Sequence, residues 1–421
     1  MAEHDLFDVE ILALVYGGDA MGRLPDGRAV FVPYALPGER VRLRLTGQKK
    51  NFARGALVAV LEPSPDRVTP PCADAAACGG CHYMHIAYPA QLRYKTDILR
   101  DQLRRIAGVA DPPVAPMLPS PQEWHYRNTV QFHLDPAGRL GFQEPGSHTV
   151  VPIQECLLCD PAIAETWPLL DFSDPQGGAA HGIRRVTLRS GVEGDLLLAL
   201  ESDDPTPPEI SIDLPINAVF VGPGGFAENA PLVLAGDDYL TMQAAGRLFR
   251  VSAGSFFQVN VPQAEAMLRY LLDRLPLDPQ ALLLEAYAGV GLFTAFLAPE
   301  MGRVAAVESN PPSIDDFVAN LDEYDHVELY DGTAEEILPD LKLSPAIALV
   351  DPPRAGVAQP ALDALIRMGA PTLAYVSCDP STLARDVRRL IAAGYRLDHV
   401  QPFDMFPQTY HIETVALMSR R

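Results

Sequence analysis

The first 62 residues alternate apolar and polar side chains in short runs, which glycine-containing turns separate. A period of two is typical of half-buried β-strands. Turns are predicted at residues 17–22 and 36–39. The predicted strands include residues 9–15, 28–33, 40–46 and 53–61. We expect this region to close into a small β-barrel of the oligonucleotide-binding type, which has about five strands.

The spacing becomes helical over residues 88–108. Leu92, Leu99 and Leu103 lie near one face, and lysine and arginine side chains occupy the other. Gly108 follows as a typical end of a helix. We therefore expect an amphipathic helix with a solvated basic face.

Residues 112–235 are rich in proline and glycine and predict a β-rich central domain. Residues 184–188 and 196–200 are a predicted hairpin. Aromatic and basic side chains alternate over residues 123–128. That alternation fits a strand that stacks on nucleic-acid bases, and it fits an ordinary edge strand equally well.

The C-terminal half contains apolar runs that end in acidic residues. Residues 281–284 precede Glu285 and a loop with Gly289 and Gly291, and residues 304–307 precede Glu308. A strand, a glycine loop and a helix in this order predict a Rossmann-like sheet. The loop lacks the third glycine of a dinucleotide fingerprint. Since a carboxylate accepts hydrogen bonds from ribose hydroxyls, S-adenosylmethionine fits this pattern better than NAD.

Cys378 follows a short β-branched and aromatic run, so it lies where a strand ends and a loop begins. Ligands bind at that edge of an open α/β sheet. A thiol there is either a nucleophile or a buried structural cysteine. Asp351 follows another apolar run, and Glu413 comes near the end of the chain. We expect these acids to lie at the ends of neighbouring strands.

Cys72, Cys78 and Cys81 cluster within ten residues beside two glycines, which predicts a metal site. Cys156 and Cys159 are the candidates for a fourth ligand. The spacing does not choose between structural zinc and an iron–sulfur cluster.

The 421 residues suggest two or three domains, and 48% hydrophobic residues are typical of a globular chain. No run is apolar enough to span a membrane, and the acidic amino terminus lacks a signal pattern, so we expect a cytoplasmic protein. The formal net charge of −21 argues against a nucleic-acid partner. However, basic residues gather at 40–44, 49–50, 100–105 and 184–185.

Residues 31–39 resemble the TRAM domain, an RNA-binding barrel. The whole chain resembles the RNA (uracil-5-)-methyltransferases, in the iron–sulfur branch that acts on large-subunit (23S) ribosomal RNA. The motifs that carry this resemblance are the cysteine set and residues 255–260, 287–291, 351–354, 377–380, 406–409 and 411–413.

The resemblance implies a role for each matching residue. Cys378 corresponds to the nucleophile that attacks C6 of uracil, and Glu413 corresponds to the general base that removes the C5 proton. Asp351 would also lie near the uracil, and Cys159 would be a free thiol. The implied S-adenosylmethionine-binding residues are Gln258, Tyr287, Glu308 and Asp351. The implied ligands of a [4Fe-4S] cluster are Cys72, Cys78, Cys81 and Cys156.

The resulting expectation is an α/β multidomain enzyme that makes 5-methyluridine in 23S ribosomal RNA. The alternative substrate is the T-loop uridine of transfer RNA. We expect a TRAM barrel (1–62), an iron–sulfur domain (63–89 and 109–250) and a methyltransferase domain (90–108 and 251–421), in a monomer without a membrane partner. Two other classes stay open: an amino-methyltransferase that uses the Asp-Pro-Pro-Arg motif, and a non-catalytic RNA-binding or redox protein.

Overall fold

The computed structural model describes residues 6–173, 182–208, 211 and 213–420. Its N-terminal strands close into a barrel in the order β1-β2-β3-β5-β4. These strands are β1 (Leu6–Leu14), β2 (Ala20–Arg23), β3 (Ala29–Val32), β4 (Arg40–Gln48) and β5 (Phe52–Glu62). Alternate side chains of each strand fill the interior, which confirms the predicted barrel.

The predicted turn at 17–22 is wrong in its second half, because its last three residues belong to β2. Gly22 pairs with Val30 of β3 and also lies against β1. A Cβ atom on Gly22 would lie 2.6 Å from the carbonyl oxygen of Glu10. This glycine therefore permits a close approach of strands and does not form a turn.

Helix α1 (Tyr88–Gln102) continues as one π-helical turn, Leu103–Ala107, and Gly108 ends it with a left-handed φ of 76°. Leu99 and Leu103 pack in the same hydrophobic cluster as Leu383 and Val387 near the end of the chain. The predicted helix is confirmed. Its supposedly solvated basic face is wrong at one position, since Lys95 is fully buried.

The central region is a mixed sheet in the order β12-β11-β10-β9-β6-β7-β8. Its elements are β6 (Thr129–Leu134), β7 (Leu140–Gln143), β8 (Val150–Pro152), α2 (Pro161–Thr166), β9 (Ile183–Ser190), β10 (Leu196–Ser202), β11 (Asn217–Val221) and β12 (Leu232–Ala235). The β9–β10 pairing, with Leu188 opposite Leu198, confirms the predicted hairpin.

Residues 123–128 are not a strand, so both strand interpretations were wrong. His125 has a φ of +55°, which interrupts an extended backbone. Tyr126 is buried, and its hydroxyl donates to the carbonyl oxygen of Pro407 at 3.0 Å. The aromatic side chain thus packs inside the protein and does not face a nucleic acid.

The C-terminal region is a doubly wound sheet in the order β17-β16-β15-β18-β19-β21-β20, as the Rossmann-like prediction required. A hairpin, β13 (Tyr239–Ala244) and β14 (Arg247–Ser252), precedes it. The strands from β15 to β19 are parallel, and β21 runs antiparallel to β19. Its elements are α3 (Val261–Arg274), β15 (Leu282–Ala286), α4 (Thr294–Leu297), β16 (Arg303–Glu308), α5 (Pro311–Leu321), β17 (Val327–Asp331), α6 (Ala334–Ile337), β18 (Ile347–Val350), α7 (Gln359–Met368), β19 (Thr372–Ser377), α8 (Pro380–Ala392), β20 (Tyr395–Phe403) and β21 (Glu413–Arg420).

Buried side chains on the two faces of this sheet form two separate hydrophobic clusters, as expected when helices cover both faces. Within the described ranges, none of the helices combines the length and apolar character that crossing a membrane requires.

Candidate active site

Strand topology brings the predicted catalytic residues to one edge of the sheet. Asp351 directly follows β18, and Cys378 directly follows β19. Glu413 begins β21, whose next residue pairs with Ser377, so the antiparallel strand starts where its neighbour ends. A cavity of about 700 Å³ opens at this edge. It is lined by six of the predicted site residues: Gln258, Tyr287, Glu308, Asp351, Cys378 and Glu413.

The end of β16 and the glycine loop after β15 form one side of this cavity. Glu308 accepts a hydrogen bond from Gly289 N at 2.8 Å through Oε2, and from Ser309 N and Asn310 N through Oε1. These three bonds fix the carboxylate and leave one lone-pair site, on Oε2, for a further donor. Gly289 has a φ of +57°, and nothing lies within 4 Å of the Cβ it lacks. A fixed acceptor beside open space fits the ribose of a nucleoside cofactor.

The central sheet holds the segment that carries Gln258. The side-chain amide of Asn128 donates to the carbonyl oxygen of Gln258 at 3.0 Å. Arg189, which is buried, donates to the carbonyl oxygens of Ser252 and Ser255 at 2.9 and 2.6 Å. Two side chains of the central domain therefore position this wall of the cavity.

Burial favours the uncharged forms of the acidic groups in the cavity. Burial raises the pKa of Asp351 to about 7, and burial together with Asp351 raises the pKa of Glu413 well above its usual value. Burial, assisted by Glu413 and Asp351, raises the pKa of the Cys378 thiol to about 12, whereas Arg354 acts in the opposite direction. The thiol is thus protonated at neutral pH, and burial favours the protonated form of both carboxyl groups beside it.

Arg354 brings a cation into this cavity. Its Nη2 atom lies 3.3 Å and 3.2 Å from the two ring nitrogens of His411, so the guanidinium packs on the imidazole ring. Burial and Arg354 lower the pKa of His411 to about 3, so the ring is neutral at physiological pH.

The loop before Glu413 is held by residues from the N-terminal half of the chain. The carbonyl oxygen of Gln408 accepts hydrogen bonds from His82 N and Tyr83 N at 3.0 and 2.9 Å. Gln91 of α1 bonds to Gln408 through both its amide nitrogen and its amide oxygen. Lys95, next along the same helix face, donates to the carbonyl oxygen of Phe406 at 3.1 Å.

The four predicted cluster ligands, Cys72, Cys78, Cys81 and Cys156, line a second cavity of about 750 Å³. Burial raises the pKa of Cys78 to about 11, and the charges of Cys156 and Cys72 act in the same direction. Cys159 is also buried, and its hydrogen bond to Cys156 lowers the pKa of Cys156 to about 6. Across the described residues, no three Cys, His, Asp or Glu side chains are grouped closely enough to hold a metal ion.

Family models match two parts of the chain. The model for tRNA (uracil-5-)-methyltransferases matches residues 233–421, and the TRAM model matches residues 5–58. A solved structure with the same fold is the Pyrococcus abyssi tRNA (uracil-54, C5)-methyltransferase in complex with S-adenosyl-L-homocysteine. It is 24% identical with a TM-score of 0.75, and the match covers 99% of this chain and 100% of that one.

Curated relatives match over nearly their whole length. An uncharacterized RNA methyltransferase of Thermosynechococcus vestitus is 34% identical over 98% of this chain and 97% of the relative. Another, from Gloeobacter violaceus, is 32% identical over 98% of this chain and 96% of the relative. With the arrangement of the cavity, these matches show that the chain belongs to the RNA (uracil-5-)-methyltransferase family and is an RNA methyltransferase.

Proposed function

We propose that this enzyme methylates C5 of a specific uridine in 23S ribosomal RNA, with S-adenosylmethionine as the methyl donor. The observation that carries the proposal is the convergence of Cys378, Asp351 and Glu413 in a cavity that Glu308 and Gln258 also line. A thiol, a base and a ribose-binding carboxylate are the groups that this reaction needs. An amino-methyltransferase or a non-catalytic protein would leave Cys378 and Glu413 without a role.

The chemistry follows from the poor nucleophilicity of C5 in uracil. The sulfur of Cys378 bonds to C6, and the electron pair displaced from the C5–C6 double bond makes the ring enolate-like. When bound, S-adenosylmethionine would supply an electrophilic methyl group to C5, and its sulfur would leave as the neutral thioether S-adenosylhomocysteine. Glu413 as a carboxylate then removes the C5 proton, and the bond between C6 and sulfur breaks.

The buried acids support this sequence of proton transfers. Because burial keeps the Cys378 thiol protonated, Asp351 as a carboxylate takes the thiol proton while the bond to C6 forms, and the proton returns to the sulfur when that bond breaks. Asp351 and Glu413 have raised pKa values, so each is a stronger base than an exposed carboxylate. Asp351 also accepts a hydrogen bond from N3 of the uracil in this proposal, which orients the ring. The uridine must leave its stack to reach the cavity.

Two RNA substrates compete in this proposal. The resemblance to the iron–sulfur branch favours 23S ribosomal RNA. The transfer RNA T-loop is the second candidate, because the Pyrococcus abyssi neighbour that covers the whole chain is a tRNA (uracil-54, C5)-methyltransferase.

We also propose that Cys72, Cys78, Cys81 and Cys156 hold a [4Fe-4S] cluster. These thiols line one cavity and influence one another electrostatically, which supports a shared ligand. A cubane binds one thiolate at each of its iron atoms, so its ligands lie farther apart than those of a mononuclear ion. The cluster would fasten the segment next to His82 and Tyr83. It would transfer no electrons in the methylation.

The experiment that tests the function uses anaerobically purified protein and radiolabelled S-adenosylmethionine. Ribosomal RNA and transfer RNA from a methylation-deficient host are the two substrates, and Cys378→Ala is the matched variant. We expect label in 5-methyluridine of ribosomal RNA with the wild-type protein and none with the variant. Label in transfer RNA alone would identify transfer RNA as the substrate in place of ribosomal RNA. Full activity of Cys378→Ala would overturn the mechanism.

A further inference from the structure

The barrel contacts the loop that carries the thiol. Tyr16, in the connection between β1 and β2, donates its hydroxyl to Asp379 Oδ2 at 2.9 Å. Asp379 is the residue after Cys378. Its other oxygen, Oδ1, accepts hydrogen bonds from Ser381 N and Thr382 N at 2.9 and 3.0 Å and so caps helix α8. The helix thus holds one oxygen of this carboxylate, and the barrel holds the other.

The barrel also contacts the segment that carries Glu413, the proposed base. Ile412, next to Glu413, is fully buried and belongs to the hydrophobic core of the barrel. The ring of Tyr16 packs edge-on against Tyr410, with 5.8 Å between ring centroids. The barrel therefore touches the residue after the proposed nucleophile and the residue before the proposed base.

We propose that Tyr16 is a positioning residue of the active site, which fixes Asp379 and through it the backbone and the electrostatic surroundings of Cys378. The inference rests on the proposed role of Cys378 as nucleophile. It assigns the barrel a part in building the catalytic centre, in addition to RNA binding.

The charges around Cys378 explain why this hydrogen bond matters. Glu413, Asp351 and Asp379 disfavour the thiolate, and Arg354 favours it. Despite burial, hydrogen bonds from Ser381, Thr382 and Tyr16 hold the pKa of Asp379 below its usual value. The carboxylate therefore stays charged, and the Tyr16 hydroxyl partly neutralises it. Without that donor, the negative charge next to the sulfur is less compensated, and the thiolate is harder to form.

The test measures alkylation of Cys378 by iodoacetamide between about pH 7 and 10, with the Cys378 peptide quantified by mass spectrometry. It needs neither RNA nor cofactor, so its result is independent of the methylation assay. Tyr16→Phe removes the hydroxyl and keeps the ring. Tyr34→Phe is the matched control, since it removes a hydroxyl from the same barrel.

We expect Tyr16→Phe to move the alkylation profile to higher pH and to slow the reaction about fivefold at pH 8, a fraction of the effect of losing a hydrogen bond to a charged group. Tyr34→Phe should follow the wild type. Asp379→Asn removes the charge through which Tyr16 acts, so adding Tyr16→Phe to Asp379→Asn should cause no further shift. An unchanged profile for Tyr16→Phe, or an equal shift in the Asp379→Asn background, would overturn the inference. Methylation by Cys378→Ala would instead overturn the proposed function and leave the alkylation result standing.

Discussion

Replacing Lys95 with methionine tests how strongly α1 is fixed to the catalytic loop. Lys95 Nζ lies 2.6 Å from Asp404 Oδ1, and both side chains are 0% exposed. Methionine keeps most of the volume of the side chain but leaves Asp404 buried without its cation. Breaking a buried ion pair in this way costs about 3–5 kcal/mol. The lost hydrogen bond to Phe406 adds about 1 kcal/mol.

We therefore expect Lys95→Met to lower the free energy of unfolding by about 5 kcal/mol near neutral pH. Equilibrium urea denaturation at pH 7.5, followed by far-ultraviolet circular dichroism, measures this loss.

Two further variants distinguish the effect of breaking the Lys95–Asp404 ion pair from the effect of removing any lysine. Lys342→Met removes an exposed lysine and should change stability by less than about 0.5 kcal/mol. Lys95→Met combined with Asp404→Leu removes both charges and should recover much of the loss. If Lys95→Met matched Lys342→Met within error, the ion pair would not stabilise the fold and the argument would fail.

Two more predictions concern the cavity, and a third concerns the buried acid Glu285 of β15. Glu413→Gln should accumulate a covalent complex with RNA, visible on a denaturing gel, because an amide cannot remove the C5 proton. Glu308→Ala should weaken binding of S-adenosylmethionine roughly 100-fold in calorimetry, about the effect of losing one hydrogen bond to a charged acceptor. Burial raises the pKa of Glu285 from 4.5 to about 8, against the hydrogen bond from Thr294. Wild-type stability should therefore fall as the pH rises from about 4.5 to 8, because only the unfolded state loses this proton, and Glu285→Gln should reduce that fall.

A different result would contradict each of these three predictions. Absence of an adduct with Glu413→Gln, in a sample that binds RNA normally, would argue against Glu413 as the base. Unchanged affinity of Glu308→Ala for S-adenosylmethionine would show that Glu308 does not bind the ribose of the cofactor. A Glu285→Gln protein with the same pH dependence as the wild type would mean that another group causes the fall.

Local patterns were sufficient to predict the barrel, the central hairpin and the cofactor-binding sheet. In each of these regions, the apolar and polar residues of one short segment follow the burial pattern of its strand or helix. The contacts between distant segments were not predictable in this way. Lys95 and Asp404 are 309 positions apart, and Tyr16 and Asp379 are 363 positions apart. The sequence alone predicts that a lysine on a helix is exposed to solvent, because it does not show a buried acidic partner.

The same limitation explains the errors at residues 123–128 and in β2. Alternation suggested an exposed strand at Tyr126, but a distant carbonyl, that of Pro407, determines its position. Glycine is typical of turns, but Gly22 is needed because β1 lies too close to it for a side chain. The catalytic, cofactor and cluster assignments and the domain boundaries stay predictions until the experiments above are done.

The packing of α1 against the C-terminal helices has a consequence for synthesis on the ribosome. At about 5–20 residues per second, Asp404 emerges roughly 15–60 s after Lys95. During that interval α1 is a nascent segment with a charged residue on the face it must later bury, and Leu99 and Leu103 lack their partners Leu383 and Val387. A chaperone that shields this helix, or a folding order in which the barrel forms first and α1 waits, would protect the growing chain from aggregation. The last segment of the chain, from Leu383 onward, thus completes the packing of a helix that is synthesised much earlier.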